Sequence, residues 1–120
     1  MKSLVILGST GSIGRQTLEI VRAFPNELRI VGLAAGNNLK LLAEQIEEFK
    51  PQAIAYNAAG NNQNIVLPNG CKFLDPQEMV TLPQVDLVVA ATVGASSIST
   101  ILNAIQSGKP IALANKEIIV

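Results

Sequence analysis

Seven residues, Gly8-Ser9-Thr10-Gly11-Ser12-Ile13-Gly14, join an apolar run, Leu4-Val5-Ile6-Leu7, to an amphipathic stretch that ends near Phe24. The run reads as a buried strand and the stretch as a helix. Glycine permits the tight turn between them, and lets a ligand approach where a Cβ would block it. The unpaired N–H groups of the helix's first turn, and the positive end of its dipole, then face whatever sits there. The junction therefore predicts an anion cradle for a nucleotide or dinucleotide. A glycine pattern alone is weak, but this one lies after a strand and opens a helix, as the mechanism requires. The competing reading is a turn serving only close helix–strand packing. A Walker-type phosphate loop is disfavoured, because no Gly-Lys-Ser/Thr follows.

The rest of the chain alternates in the same way. Ile13–Phe24 is a first helix, with Ile13, Thr17, Ile20, Val21 and Phe24 on one face and Pro25-Asn26 ending it. Residues 28–33 form a second strand, closed by Ala34-Ala35-Gly36-Asn37-Asn38. Asn38 is placed to cap a helix presenting Leu39, Leu42, Ala43, Ile46 and Phe49, which Pro51 stops. Ala53-Ile54-Ala55 is a short third strand, and the polar residues 57–70 read as a loop or frayed helix. After Lys72-Phe73-Leu74 and a short helix over 75–80 comes Asp86-Leu87-Val88-Val89-Ala90-Ala91, apolar enough for a central parallel strand. A helix over 97–107 follows, expected to turn Ile98, Ile101, Leu102 and Ile105 inward and to end at Gly108. Ile111-Ala112-Leu113 is the last strand. Strands alternating with helices imply a parallel α/β sheet, doubly wound and Rossmann-like, with helices on both faces. Glu117-Ile118-Ile119-Val120 resembles the opening of another helix, so the chain is expected to be an amino-terminal fragment.

Composition narrows the function. Nine basic and nine acidic residues balance, with no basic stripe, which argues against a nucleic-acid surface. The apolar runs are too short to span a bilayer, and no signal-peptide pattern opens the chain. A single cysteine, Cys71, rules out an internal disulfide and fits a reducing cytoplasm. With no histidine to serve as its base, Cys71 reads as a packing residue. The same lack removes the commonest general base and metal ligand from the chain.

The second strand's end bears on the choice of cofactor. An NAD site wants an Asp or Glu there for the ribose 2′-hydroxyl. Ala34-Ala35-Gly36-Asn37-Asn38 has no carboxylate, so NADPH is favoured over NADH, although Lys40 is the only nearby cation. Asn37 and Asn38 also suit a plain turn and helix cap. Ala90-Ala91-Thr92-Val93-Gly94-Ala95 ends a strand at the sheet's carboxyl edge, where ligands of such sheets lie, although small residues there also serve packing. Asn115-Lys116-Glu117 follows the last strand at that edge. Lys116 suits a substrate phosphate or hydroxyl, and Asn115 and Glu117 a nicotinamide ribose; an ordinary solvated loop fits equally well.

In order, Gly-Ser-Thr-Gly-Ser-Ile-Gly at 8–14, Ala-Gly-Asn-Asn at 35–38, Ala-Ala-Thr-Val-Gly-Ala at 90–95 and Leu-Ala-Asn-Lys-Glu at 113–117 closely resemble the amino-terminal part of the 1-deoxy-D-xylulose 5-phosphate reductoisomerase family. The resemblance spans the whole chain. It implies an enzyme that rearranges and reduces 1-deoxy-D-xylulose 5-phosphate to 2-C-methyl-D-erythritol 4-phosphate in non-mevalonate isoprenoid biosynthesis. It further implies NADPH, Mg²⁺ or Mn²⁺, and a cytoplasmic or plastid homodimer. By that similarity Thr10, Gly11, Ser12 and Ile13 cradle the pyrophosphate, and Gly36, Asn37 and Asn38 surround the adenosine ribose and 2′-phosphate. Asn115 and Glu117 then contact NADPH and Lys116 touches substrate. A basic residue is frequent in the family at position 37, so Asn37 is expected to weaken the 2′-phosphate grip. The family's metal-binding carboxylates fall beyond Val120, so residues 1–120 alone are expected to bind cofactor without turnover and to hold no catalytic or metal residue. Two other readings remain: a homoserine- or dihydrodipicolinate-type reductase, and a non-catalytic nucleotide-sensing module.

Overall fold

The computed structural model describes residues 1–36, 38–56, 67–91 and 95–113, without the side chains of 95–97 and 113. Strands β1 (Lys2–Leu7), β2 (Leu28–Ala34), β3 (Ala53–Ala55), β4 (Lys72–Phe73), β5 (Leu87–Ala90) and β6 (Ile111–Leu113) alternate with helices α1 (Ser12–Ala23), α2 (Leu39–Phe49), α3 (Pro76–Met79) and α4 (Ala95–Gln106), except that no described helix separates β3 from β4. All pairings are parallel, and the strand order is β4-β3-β2-β1-β5-β6. The expected Rossmann-like sheet is present, and the order reverses at β1. Of the expected 57–70 loop, residues 57–66 lie outside the described ones.

Alternating side chains along the strands divide the core in two. On one face Leu4, Ile6, Ile30, Leu33, Ile54 and Val89 pack under α1 and α2, through Leu18, Val21, Leu39, Leu42 and Ile46. On the other, Val5, Leu7, Val31, Val88 and Ala90 pack under α3 and α4, through Met79, Val80, Ile101 and Ala104. The register slips between Leu4 and Val5, which pair with Ile30 and Gly32, so Val31 is an extra residue in β2. Gly32 thereby lies under Met79, whose sulfur stands only 2.6 Å from where a Cβ would be.

Two helix faces differ from expectation. α1 turns Gly14, Leu18 and Val21 inward and leaves Ile20 and Phe24 at least half exposed. The cause is Gly14: pressing this residue against the glycine turn fixes the helix's rotation, and positions four and seven residues on follow it inward. α4 buries Thr100, Ile101 and Ala104, whereas Ile98, Leu102 and Ile105 are each more than half exposed. Polar bonds to α3 set this rotation. The Gln77 side chain donates to Ser99 Oγ and Thr100 Oγ1, and Asn103 Nδ2 donates to the Gln77 carbonyl at 2.9 Å.

Candidate functional site

The strand order places a crevice at the carboxyl ends of β1 and β5, where connections leave the sheet in opposite directions. The glycine turn occupies that point. Gly8 has φ +89°, a value open to glycine at little cost. The N–H groups of Gly8 and Ser9 both donate to the Ala34 carbonyl, at 2.7 and 3.0 Å, tying the turn to the end of β2. Gly11 N–H donates to the Gly8 carbonyl at 3.2 Å, and Gly11 is the N-cap of α1.

Gly11 has no side chain with which to cap α1. The N–H groups of its first turn have no intrahelical acceptor and are served by none from an N-cap side chain. Thr10 and Ile13 are half-buried while Gly11 and Ser12 are exposed, so donors and hydroxyls both reach the open edge. Ser9 is fully buried beneath them, and its Oγ has no hydrogen-bond partner among the described residues. An uncapped helix start with half-buried and exposed hydroxyls suits an anion with several acceptor oxygens, as a pyrophosphate is.

The glycines differ in what they require. A Cβ on Gly14 would lie 2.1 Å from the Gly8 carbonyl oxygen, so this residue seats α1 against the turn. Among the described residues a Cβ on Gly11 would meet only the Gly8 carbonyl oxygen, at 3.6 Å, an ordinary contact. Packing among the described residues therefore demands Gly14 and tolerates a Cβ at Gly11.

At the end of β2, Ala35 N–H donates to the Ala55 carbonyl at 2.9 Å, and Gly36 is exposed. Asn38 caps α2 as expected: its Oδ1 accepts from Leu41 N–H at 3.3 Å. The cap uses the oxygen and leaves Nδ2 uncommitted to it. Thr10, Gly11, Ser12, Ile13, Gly36 and Asn38 thus follow the carboxyl ends of the adjacent strands β1 and β2. Ala91 N–H donates to the Leu7 carbonyl at 2.9 Å, which brings the end of β5 beside the turn. Asn37, 92–94, Asn115, Lys116 and Glu117 lie outside the described residues.

Two residues near the turn escape the sequence reading. Arg15 Nε donates to the Gly11 carbonyl at 3.4 Å and adds a positive charge at the mouth of the cradle. Gln45, buried on α2, donates to the Ser9 carbonyl at 2.9 Å. A glutamine on a helical face otherwise lined by Leu42 and Ile46 was the available signal for the second. Cys71 is half-buried against the α1–α2 core, and burial pushes its thiol pKa up, away from the thiolate form. Among the described residues no group of three His, Cys, Asp or Glu is placed to hold a metal ion, and no helix is long and apolar enough to cross a membrane.

Residues 4–120 match the family model described as 1-deoxy-D-xylulose 5-phosphate reductoisomerase. A protein of that name from Chlamydia pneumoniae is 48% identical over 126 residues, covering all of this chain and 33% of the relative. A crystal structure of DOX-P reductoisomerase in complex with magnesium superposes with a TM-score of 0.85 at 40% identity, over 98% of this chain and 31% of that one. A second, in complex with NADPH, fosmidomycin and magnesium, gives 0.80 at 37% identity, over 98% and 31%. The chain spans about a third of the length of the curated relatives it matches. With a glycine turn at the switch point of a parallel sheet and a family match running from β1 to the last residue, this chain belongs to the 1-deoxy-D-xylulose 5-phosphate reductoisomerase family.

Proposed function

We propose that this chain is the amino-terminal, NADPH-binding part of an enzyme that converts 1-deoxy-D-xylulose 5-phosphate to 2-C-methyl-D-erythritol 4-phosphate. The observation that carries the reading is the uncapped start of α1 at the strand-order reversal, together with the family match. The cradle fits a dinucleotide: helix donors for the pyrophosphate, and a β2 end without a carboxylate to repel a 2′-phosphate. Thr10, Gly11, Ser12 and Ile13 hold the pyrophosphate; Gly36 and Asn38 lie at the adenosine end, with Asn37 assigned beside them. Bound NADPH supplies the hydride for the reductive step. Asn115 and Glu117 are assigned to the nicotinamide end and Lys116 to substrate, on family resemblance.

A relative's structure holds magnesium. The described residues offer no ligand set for it, so the metal's place is assigned outside them. A homodimer and a cytoplasmic setting complete the proposal and rest on the family resemblance. Sedimentation of the protein reports the first and fractionation of its host the second. Family membership displaces the homoserine- and dihydrodipicolinate-type reading.

Calorimetric titration with NADPH and, separately, NADH tests the cofactor assignment. Saturable binding with NADPH preferred by about tenfold or more, roughly 1.4 kcal/mol, is expected. Equal or tighter binding of NADH overturns the reasoning from the missing carboxylate. Assay of the whole enzyme of which this chain is proposed to be the amino-terminal part, with 1-deoxy-D-xylulose 5-phosphate, NADPH and Mg²⁺, tests the reaction, and NADPH oxidation without 2-C-methyl-D-erythritol 4-phosphate would overturn it.

A further inference from the structure

Gln45 is only 5% exposed, on the α2 face that carries the fully buried Leu42 and Ile46. Its Nε2 donates to the Ser9 carbonyl at 2.9 Å, while its Oε1 is buried without a hydrogen-bond partner among the described residues. A primary amide satisfied at one end only is a costly occupant of a core position, although its one bond pairs a backbone carbonyl that a leucine would leave without this donor. Apolar packing therefore does not account for this residue.

Its one bond does account for it. In a planar trans peptide the carbonyl and the following N–H point in opposite directions. Holding the Ser9 carbonyl toward α2 fixes the Thr10 N–H on the other side of the same peptide plane. Rotation of that plane would exchange a donor for an acceptor within the anion cradle. Gln45 also lies seven residues after Asn38, two helical turns along the same side of α2. One rigid helix thus carries both the cap at the adenosine end and the latch on the phosphate turn.

We propose that Gln45 is a positioning residue for the cofactor: its bond to the Ser9 carbonyl holds the Ser9–Thr10 peptide in the orientation that binds the dinucleotide pyrophosphate. This rests on the NADPH reading above. Gln45 acts through the turn and is itself buried from solvent.

The test is titration of the protein with NADP⁺, which tolerates acid, alongside thermal melts of wild type, Gln45→Leu and Gln45→Glu. Gln45→Leu loses the donor to the Ser9 carbonyl and gains apolar burial, so it is expected to melt within a few degrees of wild type and to bind about tenfold more weakly. Gln45→Met repeats the comparison with an unbranched side chain in case leucine does not fit. Gln45→Glu keeps the reach, but its carboxylate cannot donate. Between about pH 8 and pH 5.5 a buried glutamate gains a proton, and binding should recover relative to wild type at each pH. A merely structural role would instead make affinity follow melting temperature in every variant. Wild-type binding with Gln45→Leu and Gln45→Met within twofold of it, or no recovery in Gln45→Glu, overturns the positioning role alone. Failure of wild type to bind overturns the cofactor reading and this inference with it.

Discussion

Gly14 and Gly8 are in such close contact that a single methyl group on the first would stand 2.1 Å from the carbonyl oxygen of the second and 2.8 Å from the Cα of Ser9. Both obstacles are backbone and cannot swing aside. Gly14→Ala is expected to lower stability by roughly 3 kcal/mol or more, since even yielding cores lose about 1–3 on overpacking. Gly11→Ala is the control: φ is −79° there and the added Cβ has room. It should lose no more than about 1 kcal/mol, the cost of alanine at an N-cap, yet bind NADPH at least about tenfold more weakly, because the added methyl crowds the proposed pyrophosphate seat. Melting curves and calorimetry on the two variants separate the seat of the helix from the seat of the ligand.

Asn38 offers a way to change charge without losing the cap. Asn38→Asp retains an oxygen for Leu41 N–H, and aspartate caps helices as well as asparagine does. Its melting temperature should stay near that of wild type. The new carboxylate faces the proposed 2′-phosphate, so NADPH affinity should fall by about tenfold or more while NADH affinity holds. Unchanged NADPH affinity in Asn38→Asp would place the 2′-phosphate elsewhere.

Arg22 of α1 and Glu48 of α2 form a two-point ion pair, with Arg22 Nη2 donating to Glu48 Oε1 at 2.8 Å. The Arg22 guanidinium also lies over the Phe49 ring, 5.4 Å from its centre. The hydrogen bond from Arg22 holds the Glu48 carboxyl below its ordinary value of 4.5. A lowered folded-state pKa means the contribution is complete above the unfolded value and disappears as pH falls through the folded one. Both side chains are solvent-exposed, so the effect is small and weakened by salt. Melting temperatures of wild type and Glu48→Gln should differ slightly at neutral pH and converge between about pH 5 and pH 3.

The rotation of α4 makes a prediction opposite to its apolar pattern. Ile101→Ala should cost about 2–4 kcal/mol, because Ile101 is 8% exposed against β5 and β6. Leu102→Gln should change stability by no more than about 0.5 kcal/mol, its side chain being 53% exposed. Denaturant titration of both variants reads the difference directly.

Element order was open to sequence reading because most strands are short apolar runs with glycine, proline or asparagine soon after them. The Asn38 cap and the central placement of Leu87–Ala90 followed from the same cues. Helix rotation did not. Counting apolar residues favoured Ile20 and Phe24 over Gly14 on α1, although a glycine can be the residue most tightly pressed against its neighbours. On α4 the inward stripe contains Thr100, and Asn103 beside it bonds to α3, so apolar character alone pointed outward. Gln45 was hidden for a related reason, since its bond joins positions 36 residues apart. A glutamine between Leu42 and Ile46 marks the position, but no local pattern names its partner. The assignments at Asn115, Lys116 and Glu117 continue to rest on motif alone.

The central position of β1 also sets a timetable. Ser3 N–H donates to Asp86 Oδ2 across 83 residues, and β1 meets its second neighbour only through β5. On a ribosome adding about 5–20 residues per second, Leu4–Leu7 emerges several seconds before that neighbour exists. Parallel pairing yields no hairpin to hold it meanwhile, and long loops must close before their contacts stabilise anything. The first strand made is thus the one that waits longest for a partner.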